Sequence, residues 1–209
     1  MPDLNSLISF AVASVALLVI PGPAVIYIVN RSVADGRQIG LAAVVGLELG
    51  TFMHVLAATV GLSAILATSE NAFNVVKYLG ASYLVVLIGL RTLTRKPEAI
   101  STSASSMTQS QAFRQGFIIN MLNPKIALFF LSFLPQFIDP NISSNARQSL
   151  ILGSVFVLCG FVIDGIYALT ASSLREVLVK GKALPFIQQY VAGVVFVLLG
   201  AAAALAKVS

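Results

Sequence analysis

The apolar residues of this chain come in runs too long for a soluble core. Six can be read, at 4–29, 39–67, 73–93, 113–138, 149–174 and 184–206. Each can cross a hydrocarbon layer of roughly 30 Å at about 1.5 Å per residue, with tilt where the run is longest. Composition points the same way: 57% of residues are hydrophobic and only 10% are charged, whereas a soluble domain carries about 25% charged residues. Mean hydropathy is +0.93. The expected fold class is an all-α membrane protein of six transmembrane helices, forming one transmembrane domain over residues 1–209 with no soluble appendage. The first run reads as a span and not as a cleaved leader, because Asp3 stands where a basic n-region would be and the apolar run continues past a proline motif.

The runs repeat three at a time. Pro21-Gly22-Pro23 interrupts the first and Asn123-Pro124-Lys125 the fourth. Gly50-x-x-x-His54 in the second aligns with Gly160-x-x-x-Asp164 in the fifth, and Lys77-Tyr78 opening the third aligns with Gln189-Tyr190 opening the sixth. Three is odd, so the second copy enters the bilayer from the opposite side. The expected architecture is two inverted three-helix repeats, 1–94 and 113–209, joined by a Ser/Thr-rich polar connector at 95–112, with helices 1 and 4 broken at the proline motifs. Inverted repeats with broken helices point to secondary transporters.

Basic residues set the orientation. Arg31, Arg37, Arg91, Arg95, Lys96, Arg114, Arg175, Lys180 and Lys182 follow the odd-numbered segments, against Lys77, Arg147 and Lys207 on the other side, nine to three. The positive-inside rule places the odd-numbered loops in the cytoplasm and both termini outside. The formal net charge of +5 is explained by this asymmetry, and no basic helix or aromatic-interleaved patch suggests a nucleic-acid partner. Cys159 is the only cysteine, which excludes an intramolecular disulfide and a thiolate metal cluster; it reads as a small core residue.

The residues able to carry chemistry are few. A proline inside a span removes a backbone hydrogen bond and clashes with the preceding turn. The freed groups need partners in protein or in a watery cavity. Pro21, Gly22 and Pro23 in one half, and Asn120, Asn123 and Pro124 in the other, thus read either as structural kinks or as a substrate site. In the second reading, exposed helix ends offer N–H groups to a carboxylate and C=O groups to an amine. Lys125 has two readings: it faces a cavity, or it snorkels to the interface. On helix 2, Gly46, Gly50, His54, Ala57 and Gly61 share a stripe, a packing face of small residues with one imidazole in it. Glu48 projects roughly 120° from His54, so the two need not touch. On helix 5, Gly153, Gly160, Asp164 and Tyr167 share a face roughly 60° wide. A mid-helix acid costs roughly 2.5–3.5 kcal/mol on insertion scales, which makes Asp164 the leading proton-coupling residue. His54, for which a packing role is the bland alternative, and Glu48 follow.

These residues carry a family resemblance. Pro21-Gly22-Pro23, Arg31-Ser32, Gly36, Gly40-Leu41-Ala42-Ala43, Gly46, Gly50 and His54 resemble the first half of the lysine exporter / homoserine–threonine efflux family. Gly80-Ala81-Ser82-Tyr83-Leu84 and Gly89 are similar to its third helix. Phe113-Arg114-Gln115-Gly116-Phe117, Asn120-Met121-Leu122-Asn123-Pro124-Lys125 and Phe133-Leu134-Pro135-Gln136-Phe137 are similar to its most recognisable block. The resemblance covers nearly the whole chain and leans to the homoserine–threonine branch, with Glu48 a departure from the family pattern. It implies a multi-pass bacterial inner-membrane protein that exports amino acids or close derivatives, driven by the proton gradient.

The physical reading leads to the same kind of machine. A zwitterion needs a carboxylate site and an ammonium site in low dielectric. Broken helices supply dipole ends, and Asn120, Asn123 and Tyr83 can add neutral hydrogen bonds. Alternation linked to protons needs an acid whose proton affinity differs between the two access states. No Walker motif suggests ATP or another cofactor, and the chain is compatible with assembly as a homo-oligomer. A metal or other ion exporter of related architecture is the alternative. It would need a ligand cluster, for which only Glu48, His54 and Asp164 are at hand. An intramembrane enzyme would need a nucleophile and base together, and no serine or cysteine stands beside His54.

Overall fold

The structure, a computed structural model, describes residues 2–68, 107–139 and 144–173. The third and sixth apolar runs, and Tyr83 with them, lie outside the described residues. Among the described residues every regular element is helical.

Asp3 starts α1 (Leu4–Val19) by accepting the Ser6 amide at 2.6 Å. The helix ends one residue before Ile20, and α2 (Pro23–Asp35) begins directly at Pro23. A proline suits the first helical position, where its missing N–H would have no partner anyway. The axes of α1 and α2 differ by 57°. Gly36, at φ +89°, then turns the chain in a conformation that side chains disfavour, and α3 (Arg37–Thr68) starts at once.

After the undescribed stretch, Thr108 and Gln111 form a reciprocal capping box and α4 (Gln109–Met121) begins. The expected connector thus ends early: residues 109–112 are helical, because this cap satisfies the first amides of the helix. Asn123 caps α5 (Pro124–Ser132) by accepting the Lys125 amide, again with proline at the first position, and a 3-10 turn (Leu134–Phe137) follows. The α4 and α5 axes differ by 45°. The long α6 (Asn145–Ser173) completes the described part. By length and composition α3 and α6 can each cross a membrane, and the bent pairs α1–α2 and α4–α5 add two more crossings if each pair is one span.

Glycine faces set how closely the helices approach. A Cβ on Gly46 would strike the Phe113 carbonyl, and one on Gly50 would lie 2.7 Å from the Phe117 carbonyl and 2.9 Å from the Met121 amide. One on Gly116 would lie 2.6 Å from the Ala43 carbonyl. Positions on α3 and α4 therefore rise together, and the two helices run in the same direction with backbones in contact. Against α6 the order reverses: Gly153 meets Val55 while Gly160 meets Glu48, so α3 and α6 are antiparallel. An aromatic cluster joins α1, α5 and α6, with Phe129 5.8 Å from Phe10, 5.3 Å from Phe133 and 5.1 Å from Phe156 between ring centroids. Leu158, Val162 and Ile166 on α6 point outward while Gly160, Asp164 and Ala168 are buried. Apolar outside and small or polar inside is the distribution expected with lipid as the solvent.

Because backbone meets backbone at the α3–α4 contact, neither helix can give way to a side chain. Gly46→Ala and Gly116→Ala are each expected to cost about 1–3 kcal/mol. Thermal unfolding in detergent should show both variants melting several degrees below the parent.

Candidate functional site

The two helix breaks meet. Lys125, on the first turn of α5, is only 7% exposed and its Nζ donates to the Ile20 carbonyl at 2.8 Å. Ile20 is the residue at which α1 stops. Its carbonyl belongs to the negative end of the α1 dipole, where a cation is favoured. The stem of Lys125 runs beside Gly22, where a Cβ would lie 3.5 Å from Cδ. Lys125, for which the sequence leaves a cavity-facing and a snorkelling reading open, is buried here with its ammonium directed to the Ile20 carbonyl. Pro21 stays between the helices, with Pro23 and Pro124 each heading the helix that follows its break.

Asp164, 3% exposed on α6, faces Lys125 closely enough for direct charge attraction. From α3, the Glu48 carboxyl, 1% exposed, reaches the same place and hydrogen bonds with Asp164. Gly160 makes this possible, since a Cβ there would lie 2.5 Å from Glu48 Oε1 and 2.6 Å from Oε2. Glu48 Oε2 has no hydrogen-bond partner. Tyr167, one turn beyond Asp164, donates to the Val19 carbonyl at 2.7 Å and so also serves the end of α1.

The asparagines tie the second break to α3. Asn120 Nδ2 donates to the Leu47 carbonyl at 3.0 Å and to Thr51 Oγ1 at 2.6 Å. Asn123 Nδ2 donates to Asn120 Oδ1 at 2.9 Å, and its Oδ1 accepts the Lys125 amide at 3.1 Å. His54 Nε2 lies 2.9 Å from the Asn120 carbonyl; a carbonyl only accepts, so that nitrogen carries the proton. Asn120 and Asn123 thus stand in one polar chain with Thr51, Glu48, Asp164, Lys125 and Ile20. His54 is different. It lies on the α4 side of α3, bonded to backbone, while the acid paired with Asp164 is Glu48. Angular separation along the helix had set Glu48 and His54 apart, and they do serve different neighbours. Thr51 was not foreseen. The signal was the spacing Glu48-x-x-Thr51-x-x-His54, polar residues every third position in an apolar helix. Among the described residues no group of three or more His, Cys, Asp or Glu side chains is arranged to hold a metal ion.

Comparison with known proteins identifies the machine. The family model described as LysE type translocator matches residues 15–207. The chain belongs to that family. It is thus a membrane translocator, in the family its motifs resemble, although nothing in the match singles out the homoserine–threonine branch. The chain is 28% identical over 172 residues to an "uncharacterized membrane protein" of Vibrio cholerae serotype O1, covering 82% of this chain and 83% of that one. It is 28% identical over 202 residues to the leucine efflux protein of Enterobacter sp. (strain 638), covering 95% and 94%. It is 29% identical over 193 residues to the leucine efflux protein of Klebsiella pneumoniae, covering 91% and 90%. No solved structure matches the chain.

Lys125 links the second break directly to the first. Lys125→Met keeps the stem and removes the ammonium, leaving the Ile20 carbonyl and Asp164 without their cation. Transport in cells or vesicles should fall at least about tenfold, the equivalent of about 1.4 kcal/mol. Binding and expression levels, measured in parallel, should fall less.

Proposed function

We propose that this translocator exports amino acids or close derivatives across the bacterial inner membrane by proton antiport, with its site where the two helix breaks meet. The observation that carries this reading is the Lys125–Ile20 bond beside the Glu48–Asp164 pair. Buried ionisable groups in a span are costly and mark a transport path. Relatives named leucine efflux protein favour a neutral amino acid as cargo, and homoserine and threonine stay in the panel on the strength of the motifs.

The roles follow from chemistry. The exposed ends of the breaks at Pro21, Gly22 and Pro23 and at Asn123 and Pro124 offer backbone partners, while Asn120, Asn123, Lys125 and Tyr83 add side-chain hydrogen bonds to a zwitterion. Asp164 and Glu48 carry the coupling proton, and His54, held by the Asn120 carbonyl, has a lesser part. The parallel α3 and α4 and antiparallel α3 and α6 agree with two inverted three-helix repeats, 1–94 and 113–209, spanning one domain with both termini outside.

The direct test is uptake of labelled leucine, threonine, homoserine and lysine into inverted vesicles with an imposed pH gradient. Concentrative uptake of at least one should appear and collapse when the gradient is dissipated. Uptake of none would end the proposal. Asp164→Asn should abolish concentrative uptake and leave part of the substrate exchange; unchanged accumulation would move the proton elsewhere. Pro23→Ala and Pro124→Ala should lower transport more than thermal stability, because a continuous helix takes back its exposed backbone groups. For orientation, a cysteine introduced within 95–106 should resist an impermeant thiol reagent in intact cells, whereas one at Ser209 should be labelled.

A further inference from the structure

The charges at the junction leave one place unfilled. Glu48 and Asp164 are both almost fully buried, at 1% and 3% exposure, and their carboxyl groups meet. Ionised carboxylates only accept hydrogen bonds, so a bond between two of them contains a proton. The groups that face the pair among the described residues are Lys125 from α5, Thr51 from α3 and Tyr167 from α6. Only Lys125 is a cation, and its Nζ is already engaged with the Ile20 carbonyl. Two carboxyl groups sharing one proton, plus one ammonium, make a neutral cluster. Loss of the proton leaves one uncompensated negative charge in a low-dielectric interior, which is strongly disfavoured. The partnerless Glu48 Oε2 is the acceptor left for whatever compensates it.

We propose, resting on the export reading above, that the Glu48–Asp164 pair is a single site held either by one proton or by the ammonium group of the cargo, so that the two exclude each other. An ammonium has three donors and one positive charge. It can bond both carboxylates, including Glu48 Oε2, and restores neutrality when the proton departs to water. The exchange balances at the pair, where one proton leaves as one ammonium arrives; the carboxylate of the cargo needs partners of its own, which the N–H groups at the starts of α2 and α5 can offer. Exclusion of this kind is sufficient for antiport, because the pair changes sides filled by one or the other. It also specifies the cargo class: the recognised group is a protonated amine, and the carboxylate of the cargo is secondary. Glu48 is then the residue that provides the second half of the site.

The test is proton release on binding. Purified protein in weakly buffered detergent solution, with a pH indicator, is mixed with leucine, threonine, homoserine and lysine while binding is followed by calorimetry. About one proton should be released per molecule bound. With leucine as the example, 3-methylbutylamine, which keeps the amine alone, should also release protons, whereas 4-methylpentanoate, which keeps the carboxylate alone, should not. Glu48→Gln should reduce release at least about fivefold, and Glu48→Asp should restore a part of it. Gly160→Ala offers a second route if Glu48→Gln folds poorly: the added methyl pushes the flexible Glu48 carboxyl off Asp164 and should also reduce release. Binding without proton release in the parent protein, or undiminished release in both variants, overturns exclusion at this pair while leaving amino-acid export standing. Failure of every amino acid to bind, together with failure of vesicle uptake, overturns both.

Discussion

A membrane interior gives a backbone no solvent to bond, and the structure is organised around one place where that rule is strained. Pro21-Gly22-Pro23 follows the end of α1 at Val19 and leaves the carbonyls of Val19 and Ile20 without helical partners. Both are satisfied from the second half of the chain, Ile20 by the Lys125 ammonium and Val19 by the Tyr167 hydroxyl. Lys125 can reach because its own helix is broken too, one residue before it, with Asn123 capping the new start. The second break thus supplies what the first lacks, a cation for a helix C-terminus. The cost of burying that cation is offset by Asp164, and Asp164 in turn brings in Glu48.

Much of this could be read from the residues. Two prolines around a glycine in an apolar run announce a stop, and Asn-Pro announces a capped restart; α1 ends at Val19 and α5 starts at Pro124 behind the Asn123 cap. Asp164 stands out in the sequence as an acid within an apolar run. What could not be read was partnership. A helical wheel gives the angle of Glu48 on α3 but not which neighbour fills that angle. The repeat aligned His54 with Asp164, yet the antiparallel crossing of α3 and α6 brings Gly160 to Glu48 and leaves His54 to the Asn120 carbonyl on another face. The early start of α4 was legible in principle, since Thr108 and Gln111 have capping-box spacing, but the serine-rich residues before them hid it. The role of Ile20 lies in a backbone atom, which no side-chain pattern encodes.

Rigid and adaptable parts are divided unequally around the junction. At α3–α4 the contact is backbone to backbone through Gly46, Gly50 and Gly116, a geometry with no slack. Asn120 and Thr51 add hydrogen bonds across it. The acid Glu48 projects from this fixed pair. Lys125 and Ile20, in contrast, sit at helix ends joined to their preceding elements by short non-helical links, where small backbone rotations move whole half-helices. The aromatic cluster of Phe10, Phe129 and Phe156 packs α1, α5 and α6 against one another.

One hydrogen bond therefore spans the two adaptable elements. If either half-helix turns, Lys125 leaves the Ile20 carbonyl, and a buried acceptor without a donor costs about 1–3 kcal/mol. The state with the bond broken persists only when something replaces the ammonium at Ile20 and something else balances Asp164. On the export function proposed above, an amine-bearing cargo or a hydrated opening would do the first, and a proton or the same amine the second. Occupancy and conformation are then linked through shared partners, without any signal relayed over distance. The close-packed α3–α4 frame fixes the backbone from which Glu48 projects toward Asp164 and Lys125.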